Sequence, residues 1–272
     1  MKQLLKPTSR ALRNFFRMLA SITSHKKRFV RLSPFARGKI SFFDKKNKQF
    51  LSLSSRGEND SSTLDEIFSK YGYRLDGMAR TNDIYDEYNN IIAAGKEPLI
   101  IDCGSNIGAA TYFFSYEFPK AKVVGVELEH SNFELAYKNN ANNPNVKTIH
   151  AAIGPEKGYV DIANPNELNK DAFQTKLTPK NAIGAIKMIS ISNILEVYPD
   201  TIPFITKVDI EGFEGQLFSY NTQWMDRFYL IALEVHDWML PNQAVSKNFL
   251  SEHSKLNRDF YLRGDTVFSI KN

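Results

Sequence analysis

Two apolar runs, each ending in a distinctive polar residue, constrain this chain more than any other feature. PLIIDCGSNIG, Pro98 to Gly108, reads as a buried strand entering a glycine turn and a helix start. VVGVELE, Val123 to Glu129, reads as a second strand with an acid at its end. Strand, glycine turn, helix, strand and acid in that succession describe half of a nucleotide-type cofactor site.

The details choose among cofactors. The glycines are Gly104 and Gly108, spaced G-x-x-x-G rather than G-x-G-x-x-G. Ser105 and Asn106 fill the middle, so the usual close approach of a pyrophosphate is not provided. Asp102 at the strand end would repel a pyrophosphate and favour an amine or a sulfonium. That combination points to S-adenosylmethionine (SAM). Glu127, at the end of the second strand, offers two oxygens to a ribose diol. The rivals are another nucleotide cofactor and a corner that glycine merely permits. Asp102, both glycines and Glu127 at successive strand ends favour SAM.

The remaining pattern is α/β. Strands are expected at 99–103, 123–128, 146–151, 158–162, 203–212 and 228–236, with helices at 107–118, 131–142 and 243–256. A strand and a short helix share 187–195. RDFYLRGDTVFSIK, Arg258 to Lys271, reads as an antiparallel hairpin around Arg263–Gly264–Asp265. Near-continuous apolar strands joined by helices indicate a mostly parallel sheet covered on both faces. Three regions are expected: a basic arm over 1–55, a helical lead-in over 56–97, and the main domain over 98–272. Within the arm, strand is expected over 39–53. Residues 163–186, with Phe173 and Gln174, read as an irregular insertion suited to an acceptor-specific wall.

Charge is distributed unevenly. Residues 1–50 hold 14 Lys or Arg and one acid, Asp44, whereas the rest holds 21 basic and 29 acidic residues. The positive charge therefore belongs to the arm, and the mildly acidic remainder speaks against wholesale nucleic-acid binding. Leu12, Phe15, Phe16, Leu19 and Ile22 recur at helical spacing beside Arg10, Arg13 and Arg17. Such a basic amphipathic helix, over residues 9–24, either docks on the protein's own core, lies on an anionic membrane surface or meets a partner. The lone Cys103 excludes an internal disulfide and fits a reducing compartment. The expected location is cytoplasmic, at the inner face of a membrane if the arm engages lipid. No cysteine cluster, HExxH or paired histidine spacing marks a metal site.

The motifs also resemble a known family, the FkbM-type SAM-dependent methyltransferases. The resemblance covers roughly 82–270. It rests on IIDCGSNIG from Ile100, VVGVELEHSNFELAYKNNANN from Val123, KVDIEGFEGQLF from Lys207, and IALEVH from Ile231. It implies a Rossmann-like class I methyltransferase fold, a mostly parallel seven-stranded sheet with a C-terminal antiparallel hairpin. It implies SAM contacts from Asp102, Gly104, Asn106, Gly108 and Glu127, with Ala152 beside the adenine and Asp209 near the methionine moiety. It implies methyl transfer to a hydroxyl of a sugar, glycan, glycolipid or related small molecule. Leu128 stands where that family usually has proline. Asn193 stands in place of an aspartate and is given no catalytic role.

Methyl transfer requires alignment, exclusion of water and, for a hydroxyl acceptor, a general base. Candidates belong at the C-terminal ends of the parallel strands. Asp209, Glu211 and Glu214 follow one strand; Glu234, His236 and Asp237 end or follow the next. His236 is the preferred base because an imidazole titrates near neutrality, with Glu211 orienting the acceptor. The bland readings are a strand-capping histidine and a structural bond from Glu211 to Lys207 or backbone N–H groups. Glu214 is expected to open a helix and Cys103 to pack in the core, while Trp238 and Tyr112 either face a sugar or SAM or pack in the core. Two rival functions remain: an RNA methyltransferase using the basic arm, and a non-catalytic SAM-fold module binding a membrane or protein.

Overall fold

A computed structural model describes residues 27–33, 35–70, 72–162 and 175–272. The amphipathic segment 9–24 and the insertion residues Phe173 and Gln174 lie outside the described residues. The chain divides into two compact units, with the boundary between Arg74 and Leu75.

In the first unit, β1 (Phe29–Arg31), β2 (Gly38–Asp44) and β3 (Gln49–Ser55) form an antiparallel sheet in the order β1-β2-β3. The expected strand over 39–53 is thus a hairpin, turned between Asp44 and Gln49. Ile40 and Phe42 of β2 and Leu51 and Leu53 of β3 alternate into the core. Helix α1 (Glu58–Phe68) closes that core with Leu64, Ile67 and Phe68. The Phe68 ring meets Phe29 edge-on, with centroids 5.3 Å apart. Asp44 is fully buried and is held by the Arg28 guanidinium at 2.9 Å, as a buried carboxylate requires.

The second unit begins with α2 (Thr81–Ala93) and is built on a seven-stranded sheet. Its strands are β4 (Glu97–Cys103), β5 (Lys122–Glu127), β6 (Val146–His150), β11 (Thr201–Val208), β12 (Leu230–Glu234), β13 (Arg258–Arg263) and β14 (Thr266–Lys271). Their spatial order is β13-β14-β12-β11-β4-β5-β6. From β6 to β12 neighbours are parallel, whereas β14 runs antiparallel to both β12 and β13. This is the strand order of the class I methyltransferase fold, with the expected terminal hairpin.

The sequence explains the layout. Six consecutive residues of β4, Pro98 to Cys103, are buried, which suits a central strand covered on both faces. Helices α3 (Ala109–Glu117) and α4 (His130–Asn140) are the crossovers that return the chain for β5 and β6. Pro203 has no amide hydrogen for the ladder, and the β11–β4 register shifts between Pro203 and Ile205. A small second sheet, ordered β7-β10-β8-β9, collects β7 (Ala152–Ile153), β8 (Gly158–Ile162), β9 (Thr175–Leu177) and β10 (Ile186–Ile189). Part of the expected irregular insertion is therefore strand.

Helix α5 (Ile191–Val197) follows β10, and Asn193 has a plain structural job there. Its side chain accepts from the Ser190 N–H while its own N–H donates to Ser190 Oγ, a reciprocal cap. Short helices α6 (Glu214–Leu217) and α7 (Lys247–His253) complete the unit. Cys103 is fully buried, and burial pushes its thiol up to about 12, which makes it a packing residue. Trp238, for which a core position and a ligand-facing one were both open, is 70% exposed. Among the described residues, no helix is long and apolar enough to cross a membrane.

Candidate active site

The sheet order reverses between β4 and β11. β4 continues to β5 and β6 on one side, and β11 to β12 on the other. In open α/β sheets such a switch opens a crevice beyond the carboxyl ends of the two strands. A cleft lies at this point, lined by Gly104, Asn106, Glu127, Leu128, Ala152, Asp209 and Glu211 among others.

The glycine turn shapes one wall. Gly104 has φ +79°, and a Cβ there would stand 1.8 Å from the Asp209 carbonyl oxygen. No other residue fits that backbone approach. Gly108 has φ +77° and sits against Ala136 of α4, where a Cβ would come within 2.9 Å of the Ala136 Cα. Its role is close helix packing; the cleft wall is formed by its neighbours. Asn106 adopts a left-handed conformation, φ 48°, tolerated well by asparagine. That turn points its N–H at Glu127 Oε2, 2.8 Å away.

Glu127 is 5% exposed and holds both loops of this wall. Oε1 accepts from the Glu129 N–H at 2.9 Å while Oε2 accepts from Asn106. Each carboxylate oxygen can accept a second hydrogen bond, and Glu127 lines the cleft. Burial raises the Glu127 carboxyl to about 7, despite those two hydrogen bonds. Glu129, which follows Leu128, caps α4 by accepting from the Asn132 N–H at 2.7 Å.

Asp102 lies one layer beneath the cleft. It is completely buried, accepts from Thr111 Oγ1 at 2.6 Å, and pairs with Lys207 Nζ at 3.1 Å. Lys207 also reaches Asp209 Oδ2 at 3.2 Å and donates to the Gly104 carbonyl at 2.6 Å. One ammonium thus ties the glycine turn to the end of β11. Desolvation lowers the Lys207 pKa, but the charges of Asp102, Asp209 and Glu234 and the Asp102 hydrogen bond outweigh it and raise it. Sequence reading gave Lys207 only a possible bond to Glu211. Its signal was the alternation in TKVD, which places Lys207 and Asp209 on one face of the strand.

Beyond β11 and β12 the predicted acidic residues converge. His236 is 2% exposed. Its Nδ1 meets Glu214 Oε1 at 2.9 Å. Its Nε2 faces Glu211 Oε2 at 3.5 Å, Asp209 Oδ1 at 3.6 Å and Glu234 Oε1 at 4.0 Å. Glu214 does open α6 as expected, but its carboxylate also accepts from the Ile210 N–H at 3.1 Å. Burial first, and then the Asp209 charge, raise Glu211 and Glu234 to about 8. Burial lowers the His236 imidazole, but the Glu214 hydrogen bond and the surrounding carboxylates outweigh it and raise the pKa to about 9. Asp209, Glu234 and His236 can each aim one ligand atom into a group spanning no more than 4.8 Å. Their places at neighbouring strand ends are legible in the sequence, but no familiar metal-ligand spacing marks them as a set, because its members come from two strands.

A second cleft of about 540 Å³ begins at Gly212, next in sequence to Glu211. Its walls include Gln216, Gln243, Asn248, Lys176 and Lys247.

Comparisons with known proteins are distant. No family model and no curated protein matches the chain. Similar solved structures include a Podospora anserina methyltransferase, PaMTH1, bound to SAH, at 13% identity and TM-score 0.37. The match covers 77% of this chain and 86% of that one. Another is a precorrin-6y C5,15-methyltransferase from Geobacter metallireducens, at 11% identity and TM-score 0.37, covering 74% and 92% respectively. A third is the METTL16 methyltransferase domain, at 10% identity and TM-score 0.39, covering 77% of each chain. At these values the likenesses carry no argument about activity, and the fold assignment rests on the sheet order itself. The family resemblance is corrected on another ground: no family model matches, and FkbM membership is withdrawn. What stands is the general class I methyltransferase fold.

Proposed function

We propose that the chain is a SAM-dependent methyltransferase that methylates a hydroxyl of a sugar-type acceptor. The observation that carries this reading is Glu127, a strand-end carboxylate locked by the Asn106 and Glu129 amides at the lip of a cleft on the switch point. Its free lone pairs suit a ribose diol. Ala151, Ala152 and Ile153 provide an apolar wall beside it for a purine. Asp209, held by Lys207, faces the same cleft and suits a cationic amino-acid tail.

SAM supplies an electrophilic methyl carbon on a sulfonium leaving group. The protein's work is then to align the acceptor oxygen in line with that carbon and to take its proton. Glu211 is placed for the proton, because it lines the cleft and directly precedes the second one. Asp209 and His236 stand behind it and set its charge and position. His236 itself, with a raised pKa and deep burial, supports this carboxylate cluster better than it serves as a free base. The amide side chains of the second cleft suit the hydroxyl groups of a sugar.

Calorimetric titration of SAM into the full chain tests the cofactor, with micromolar binding expected. Tritiated methyl transfer should then label cell-envelope glycans or glycolipids. Label found only in RNA would reverse the acceptor, and no SAM binding would end the reading.

A further inference from the structure

The arrangement around His236 implies more than proton transfer. The ring is almost fully enclosed, and Glu214 takes up Nδ1 at 2.9 Å. A carboxylate on Nδ1 fixes the ring orientation, and a cation at Nε2 takes the place of the proton there. Nε2 faces oxygens of Asp209 and Glu234, 3.6 and 4.0 Å away. These separations are too long for N–H···O bonds. They fit two donors of one ion, since atoms each about 2.1 Å from a shared cation stand roughly 3.0–4.2 Å apart. A histidine oriented by one carboxylate and facing others is a common way of holding a first-row metal.

We infer that Asp209, Glu234 and His236 Nε2 form a binding site for a first-row divalent cation. Glu211 Oε2, 3.5 Å from Nε2, stands where a fourth donor is within reach. One imidazole with two or three carboxylate oxygens suits Mn²⁺, Fe²⁺, Co²⁺ or Zn²⁺ better than Mg²⁺, which keeps mostly oxygen and water ligands. The site stands at the ends of β11 and β12, beside the cleft lined by Asp209 and Glu211. Resting on the methyl-transfer reading, its use would be to hold the acceptor oxygen and favour the alkoxide over the hydroxyl.

The test uses the full chain stripped with chelator, titrated with Mn²⁺ and followed by the free-ion EPR signal. One Mn²⁺ per chain is expected, with affinity at least tenfold weaker in Glu234→Gln and in His236→Gln. Co²⁺ bound to the same chain should show visible d–d bands that change in His236→Gln. Glu234 is partly exposed, so Glu234→Gln keeps the test valid if the buried histidine variant fails to fold. No binding of Mn²⁺, Co²⁺ or Zn²⁺ overturns the inference, as does binding that Glu234→Gln leaves unchanged. Neither SAM nor an acceptor enters the titration. A failed cation site therefore leaves SAM binding to stand or fall on its own calorimetry, and the reverse also holds.

Discussion

Gly104 and Asp209 touch backbone to backbone: a single added carbon on Gly104 would sit 1.8 Å from the Asp209 carbonyl oxygen. The turn after β4 and the end of β11 are therefore one structural unit. Gly104→Ala should shift the Asp209 loop or strain the turn, since φ +79° also disfavours alanine. A loss of about 2–4 kcal/mol of stability is expected from combined strain and overpacking. Urea unfolding measures it, and a change under about 0.5 kcal/mol would mean the loops separate easily.

Lys207 makes the second link between those strands. Lys207→Met strands the fully buried Asp102 without its cation. Breaking a buried pair from one side costs roughly 3–5 kcal/mol. Adding Asp102→Asn to Lys207→Met should recover a large part of that loss, because the stranded charge is gone. A double-mutant cycle in thermal or chemical unfolding reads the coupling. Additive losses would show that Asp102 and Lys207 do not stabilise each other.

Glu127 ties pH to cofactor affinity. Its carboxyl, raised by burial to about 7, loses acceptor capacity as pH falls through that value. SAM binding should weaken between pH 8 and pH 6 and vary little above that range. The stability of the free protein should respond in the opposite sense. The folded pKa lies above the unfolded value of 4.5, so this group's contribution is fully present below 4.5 and is lost as pH rises through about 7. Glu127→Gln should flatten the affinity profile and weaken SAM about tenfold or more, as expected for a lost charged hydrogen bond. An unaltered affinity would remove Glu127 from the ribose site.

Glu211 separates binding from chemistry. Glu211→Gln should keep SAM affinity within about threefold while lowering methyl transfer by about 10²-fold or more, the usual weight of a general base. Calorimetry and single-turnover transfer measure the two quantities. Equal turnover in the variant would move the proton to another group. His236→Gln should lower transfer as well, through misplacement of Glu211 and Asp209.

The second cleft addresses acceptor choice. Gln216→Ala and Gln243→Ala alter two of its amide side chains and lie outside the SAM cleft. Each should raise the acceptor KM severalfold with little change in SAM affinity. A raised SAM dissociation constant with an unchanged acceptor KM would contradict this division of the surface.

Local pattern made the main architecture legible. The buried run at β4, the glycine corner, the alternation of strand and helix, and the terminal hairpin are carried by neighbours in the chain. So is Glu127, because a strand ending in an acid after a glycine turn is a local signal. The hairpin in the arm and the small second sheet were harder to see, since short polar strands carry weak periodicity. The exposure of Trp238 was left open, because an aromatic residue beside a buried histidine gives no hint of which way it faces.

By itself the sequence determined a mostly parallel α/β sheet, a glycine turn with an acid on the next strand, and a list of polar groups at strand ends. Tertiary structure decided which of those groups meet. Asp102 is directed beneath the cleft to Lys207, while Asp209, Glu211 and Glu234 gather around the open nitrogen of His236. The physical reason is register. Parallel pairing of Val208 with Leu233 sets the ends of β11 and β12 side by side, and residues distant in sequence then share one desolvated space. There charge has to be balanced by a partner, a proton or a cation. Sequence names the groups, and pairing across the sheet sets the balance.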